Sequence, residues 1–163
     1  MRNSTQLSVR ELYSEEDISH CVDMYRALSD ESFLVSDRAT AILNLWKLVR
    51  MKRFVRCLTR DGAIVAWLYA DAVQLLHTTY PIFQQMYYAS DQTGTMAVRC
   101  ITMLHDAMED YAVEKGFSVI TSPGSHMDEN FVFARVLARH GWQRRGYGAA
   151  RRVGGSATFS GRP

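Results

Sequence analysis

The chain is short of the residues that staple or punctuate small folds. It has three cysteines in 163 residues, Cys21, Cys57 and Cys100. They are odd in number and far apart, and no CxxC pair exists, which argues against a disulfide framework and against a zinc site. Thiols used this sparingly fit a reducing, cytoplasmic compartment. No apolar run approaches the ~20 residues that span a bilayer, so no membrane is expected as a partner. The N-terminus, "MRNSTQ", is polar and has no secretory pattern. Charge of neither sign dominates. The 19 Lys and Arg stand against 17 Asp and Glu, a net +2. That is too little to point to nucleic acid. What remains is ordinary globular composition, 47% hydrophobic and 22% charged. The length suits a single domain with one sizeable core. Residues 1–153 are expected to form that domain, followed by a flexible tail over residues 154–163, "GGSATFSGRP".

Periodicity orders the elements. Residues 6–12, "QLSVREL", alternate and predict a short strand. Ser14 opens an S-x-x-D box ahead of a helix to about Leu28, with Ile18, Cys21, Val22 and Tyr25 on one face. Ser36 or Asp37 caps a second helix carrying Ile42, Leu45, Trp46 and Val49. Asp61-Gly62 between two β-rich runs predicts a hairpin of Arg53–Thr59 with Ala63–Ala70. The segment "LLHTTYPIFQQ" reads as a loop or a short helix before a strand at Gln84–Ala89. From Thr95 to Glu114 the pattern is helical, with Ala97, Ile101, Leu104, Met108 and Tyr111 spaced by four and three. His105 reads as a residue of the polar face, and Gly116 ends the helix. "FSVITS" is a buried type of strand, a last helix is expected over Glu129–Arg139, and "WQRRGYGAARRV" closes as a strand or hairpin. Its four arginines read as a solvated face. The order β-α-α-β-β-β-α-β-α-β predicts an α/β fold with a mixed, mostly antiparallel sheet and helices on both faces. The strand–helix–strand unit at residues 84–122 should pair in parallel through a right-handed crossover.

The chemistry concentrates at "YYASDQTGTMAVRC", where that strand gives way to the long helix. A phosphate seat needs a strand end, a turn that aims successive backbone N–H groups at one point, and a helix N-terminus behind it. Glycine eases the turn, but the donors are backbone groups. Gly94 and Thr95 make such a turn feasible. An ordinary capped helix start is the competing reading.

The residues also resemble a known family, the GNAT N-acetyltransferase superfamily. Its acetyl-CoA turn follows Q/R-x-x-G-x-G/A, and the matching register is Gln92-Thr93-Gly94-Thr95-Met96-Ala97. Gln92 and Ala97 fit; Thr95 stands in place of the central glycine. The stretch is also similar to a phage-type variant, R-G-G-T-A-G-I-R-L-I, continuing here as Val98, Arg99, Cys100 and Ile101. A second family pattern, N-x-x-A-x-x-L-Y-x-x-x-G-F, is matched by Asn130, Gly141 and Trp142, with Leu137 in the tyrosine's place. The likeness in element order covers about residues 6–153.

The resemblance implies acetyl-CoA as co-substrate. The turn from Gln92 through Thr93, Gly94, Thr95 and Met96 to Ala97 would hold its pyrophosphate. The strand end from Tyr87 to Ala89 would pair with the pantetheine arm. The acceptor implied is a primary amine of a small molecule or protein. Transfer needs an oxyanion stabiliser and a proton donor for the departing thiolate. Family members often use the tyrosine that Leu137 replaces. The candidates in its stead are Tyr88 and His126 as acid or base, with Asn130 orienting the site; Asp128 reads first as a helix cap. Cys100 reads as a core residue rather than an activated thiol. Tyr87 and Tyr88 must face opposite sides of the sheet, so at most one meets the ligand. Family members commonly dimerise, so a homodimer is one implied assembly. Two other readings stay open. One is a catalytically inactive GNAT-fold interaction protein, such as a phage virion component with phage structural proteins as partners. The other is a module for an unrelated nucleotide-like ligand.

Overall fold

Local capping sets the first elements. In the computed structural model, which describes residues 6–28, 37–76, 79–122, 138–145 and 148–153, strand β1 (Leu7–Glu11) leads into helix α1 (Glu15–Leu28). The Ser14 hydroxyl accepts from the Asp17 N–H at 3.0 Å, as the capping box predicts. The Asp17 carboxylate turns to Arg10, taking hydrogen bonds of 2.7 and 2.9 Å from its guanidinium. That pair ties β1 to α1. Asp37 caps helix α2 (Arg38–Arg50), its side chain accepting from the Thr40 N–H at 3.0 Å.

Strands β2 (Phe54–Arg60) and β3 (Ala63–Val73) form the expected hairpin, with Arg60 opposite Ala63. The two loop residues, Asp61 and Gly62, both have positive φ, 50° and 90°. That is the backbone of the primed turns whose twist matches a hairpin. Strand β4 (Ile82–Ser90) follows antiparallel, then helix α3 (Gly94–Glu114), strand β5 (Val119–Ser122), β6 (Gln143–Arg145) and β7 (Gly148–Arg152). The seven strands lie in the order β1-β2-β3-β4-β5-β7-β6. Among the described residues β4 and β5 are the parallel pair, bridged by α3; the other neighbours are antiparallel. The mixed, mostly antiparallel sheet is therefore as the sequence predicts.

Helices cover both faces. On one, α3 buries Leu104 and Met108 against Phe54, Leu58, Leu68 and Phe83. On the other, α1 and α2 bring Ile18, Val22 and Leu45 onto Cys57, Val55 and Trp67. Two covered faces explain why β3 reads "AIVAWLYA" rather than alternating. Each fully buried aliphatic side chain contributes roughly 1.5–3 kcal/mol.

Three boundaries differ from the sequence reading. β3 runs to Val73 and β4 begins at Ile82, because Ala72 pairs with Phe83 and Val73 with Ile82. Part of "LLHTTYPIFQQ" is thus strand, and the short-helix alternative fails for Ile82–Gln85. The long helix starts one residue early, at Gly94. The expected helix over Glu129–Arg139 falls almost wholly outside the described residues, as does the tail at 154–163. No helix among the described residues is long and apolar enough to cross a membrane.

Candidate cofactor and active site

The site is built along the end of β4 and the start of α3. Ala70 of β3 pairs with Gln85, and the next residue, Tyr69, pairs with Tyr87. Met86 is therefore an extra residue with no partner on β3, a β-bulge that bends the strand. On the opposite edge the parallel register with β5 stops at Gln84 opposite Thr121. Beyond it β4 continues to Ser90, while β5 ends at Ser122. Among the described residues, β4 beyond Gln84 has no register partner on β5.

The end of β4 leads directly to the turn. Ser90 donates its hydroxyl to the Val65 carbonyl at 3.0 Å and accepts from the Gln92 N–H at 3.1 Å. Thr93 is the N-cap, with extended backbone, and its side chain makes no capping hydrogen bond. The first helical bond runs from the Ala97 N–H to the Thr93 carbonyl. The amides of Gly94, Thr95 and Met96 therefore have no acceptor within the helix. Thr93, Gly94 and Thr95 are exposed, Gln92, Met96 and Ala97 half-buried. The first turn carries no acidic residue. Gly94 takes φ +57°, the left-handed conformation that lets the chain swing from strand to helix. Amides at a positive dipole end that take no side-chain hydrogen bond among the described residues suit an anionic group.

Arg60 adds a cation that the sequence reading missed. Its guanidinium lies 3.5 Å from the Gln92 side-chain oxygen. The register of β3 with β4, Ser90 opposite Ala66, brings the Asp61-Gly62 hairpin and the start of α3 to the same end of the sheet, which local sequence signals do not show.

The two tyrosines do face opposite ways. Tyr87 is 45% exposed on the α1 side. Its ring stacks on Tyr69 at 6.1 Å and meets Tyr25 edge-on at 5.3 Å. Tyr88 packs into the core beneath α3. Burial pushes its hydroxyl far above the ordinary tyrosine range, so it holds its proton at neutral pH. Ala89 is buried on the α1 side. Cys100 is fully buried, and burial raises its thiol; it is a core residue, as expected. His126 and Asn130, with Asp128 and Leu137, lie outside the described residues.

Two readings need correction. His105 is not on a solvated face: it is 3% exposed. Its Nε2 lies 2.7 Å from the Gln85 side-chain oxygen, and its ring packs on Trp142 at 4.7 Å. The apolar stripe of α3 is wide enough to take in positions one beyond Leu104 and one beyond Tyr111, so His105 and Ala112 are buried with it. The arginines near the C-terminus are not uniformly solvated either. Arg151 pairs with Glu109 of α3 at 2.7 Å.

A cavity of about 570 Å³ lies at the other end of the molecule, lined by Leu12, Val55, Arg56, Tyr111 and Lys115 among others. It sits by the C-terminus of α3, about 30 Å along the helix from the turn. Arg56 pairs there with Glu11 and Lys115 with Glu114, and the distance from the turn sets the cavity apart from this site.

No protein-family model and no curated protein matches the sequence. Solved structures do match the fold. An N-acetyltransferase from Staphylococcus aureus Mu50 superposes with a TM-score of 0.68 at 10% identity, over 87% of this chain and 86% of that one. A GNAT superfamily phosphinothricin acetyltransferase from Sinorhizobium meliloti, in complex with acetyl-CoA, gives 0.64 at 15% identity over 94% and 92%. A ribosomal-protein-alanine N-acetyltransferase from Brucella melitensis gives 0.61 at 14% identity over 85% and 86%.

Proposed function

From the GNAT fold that this chain shares with those enzymes, we propose that it is an N-acetyltransferase that moves an acetyl group from acetyl-CoA to a primary amine. The observation that carries the reading is the bulged end of β4 running straight into a helix N-terminus with no side-chain cap. One extended ligand with a phosphate at one end and a reactive group at the other fits both halves. The turn from Gln92 to Ala97 holds the pyrophosphate through its unmatched amides, those of Gly94, Thr95 and Met96, and Arg60 adds a positive charge beside them. The edge of β4 from Tyr87 to Ala89 pairs with the amides of the pantetheine arm. The bulge at Met86 bends β4 at the far end of that arm, where the thioester arrives. Bound there, acetyl-CoA supplies the activated acyl group. The chain's task is to orient it, stabilise the oxyanion and leave a proton for the thiolate. Tyr88, which keeps its proton, and His126 are the proposed acid–base groups, with Asn130 orienting the site. The acceptor is an amine of a small molecule or a protein; the matched structures include enzymes named for each kind.

Titration calorimetry with acetyl-CoA tests the reading, with Thr95→Trp as the blocked control because its bulk would fill the exposed turn. Binding by the native chain that the tryptophan abolishes supports the proposal. No heat at millimolar acetyl-CoA would sink it.

A further inference from the structure

The cavity at the far end of the sheet has the room and the lining of a second site. Its volume of about 570 Å³ suits a small organic molecule. Leu12, Val55 and Tyr111 give it apolar walls. Around them Lys52, Arg53, Arg56 and Lys115 outnumber Glu11 and Glu114. Three of those four cations are already matched. Arg56 pairs with Glu11 at 2.9 Å, Lys115 with Glu114 at 2.8 Å, and Arg53 with Asp71 of β3 at 3.0 Å. Among the described residues no carboxylate pairs with Lys52.

The backbone holds this lysine where a glycine is expected. Helices α2 and α3 both end at the cavity, and both close in the same way. At α3 the Gly116 N–H bonds to the Val113 carbonyl and the Phe117 N–H to the Ala112 carbonyl. At α2 the Lys52 N–H bonds to the Val49 carbonyl and the Arg53 N–H to the Leu48 carbonyl. This closure needs one left-handed residue, most often glycine. Helix α3 uses Gly116, at φ 79°; α2 uses Lys52, at φ 55°. A residue with a Cβ is disfavoured in that conformation. The charge at the helix end does not account for the choice, since Lys47 and Arg50 already supply cations in the last turn of α2. What lysine adds over glycine is a charged arm on the cavity wall.

We propose that this cavity binds a small organic anion, a carboxylate or phosphate on a short apolar body, with Lys52 as its ion-pair partner. The apolar walls take the body. The anionic group supplies the counter-charge that the other three cations already have. Beside low-dielectric walls such a pair is screened less than one in open solvent. The site stands apart from the acetyl-CoA reading, since it uses none of the residues of the turn and lies about 30 Å from it along α3.

Titration of the native chain with benzoate, phenyl phosphate and benzamide at low salt, followed by ¹H–¹⁵N spectroscopy, tests the proposal. Benzamide keeps the ring and lacks the charge. The backbone amides of Lys52, Arg53 and Lys115 should shift saturably with at least one of the two anions, and the tighter anion identifies the head group. Benzamide should bind more weakly than that anion. Benzamide binding as tightly would overturn the inference. So would the absence of saturable shifts at those amides up to about 10 mM of either anion. Lys52→Gly separates binding from folding. Glycine suits the left-handed position, so the thermal midpoint should hold or rise. Affinity for the tighter anion should fall about three- to tenfold. Unchanged affinity would overturn the role of Lys52, and a lower midpoint would overturn the argument that lysine is held there against its preference.

Discussion

Replacing Gly94 with alanine tests the turn at the level of the backbone. Gly94 holds φ +57°, and a Cβ built there meets no atom within 4 Å outside its immediate neighbours. The space is open, so steric clash adds nothing. What alanine loses is conformational: an L residue in the left-handed region costs roughly 1 kcal/mol relative to glycine. For a chain of this length that corresponds to a fall in the thermal midpoint of about 2–4 °C. Asparagine tolerates the same region better than alanine, so Gly94→Asn should lose less. Paired thermal and urea unfolding of native, Gly94→Ala and Gly94→Asn protein gives the comparison. No loss for alanine would mean that the helix does not begin through a left-handed residue. A loss several times larger would mean that the Cβ meets something, and that the exposed seat proposed for a phosphate is filled. Alanine equal to or better than asparagine would refute the conformational account on which the turn rests.

Two further outcomes follow from other parts of the structure. Hydrogen bonds from Arg10 hold the Asp17 carboxyl down to about 2, from an ordinary value of 3.8. A depressed carboxyl contributes stability that is complete above its unfolded value and is lost as pH falls toward the folded one. Asp17→Asn should therefore cost on the order of 1–2 kcal/mol at neutral pH, after allowance for solvent screening, and flatten the fall in stability between about pH 4 and pH 2. Acid titration of urea midpoints checks it, and an unaltered slope would count against the Arg10–Asp17 tie. Arg60→Ala should weaken acetyl-CoA binding several-fold at low salt and less at high salt, because an exposed guanidinium acts mainly through a screened field. Equal losses at both ionic strengths would remove Arg60 from the phosphate end of the site.

Much of the architecture was legible in the chain because it is written in short-range signals. Ser14 and Asp37 cap helices by bonds to residues three positions on. Asp61-Gly62 sets a hairpin through two positive φ values. The four-and-three spacing from Ala97 to Tyr111 marks α3, and strand–helix–strand order gives the parallel crossover of β4 and β5. The turn at Gln92–Ala97 could be found for the same reason, since a strand end, a glycine and a helix start lie within a few residues. The acceptor could not be read, because its binding surface depends on how separate elements meet.

The sequence by itself determined the order of elements, the faces of α3 in outline and the place of the turn, all through interactions within about four residues. Tertiary structure decided what those elements do to one another. Only pairing with β3 reveals Met86 as an extra residue that bends β4. His105 lies on the margin of its helix's apolar stripe, where periodicity does not separate buried from exposed positions. It is buried because Gln85, twenty residues earlier, offers a carbonyl at the depth where the imidazole would otherwise lose its water. A polar side chain can be buried when a partner from another element replaces its hydration, and that partner is fixed by the fold rather than by neighbours in the chain.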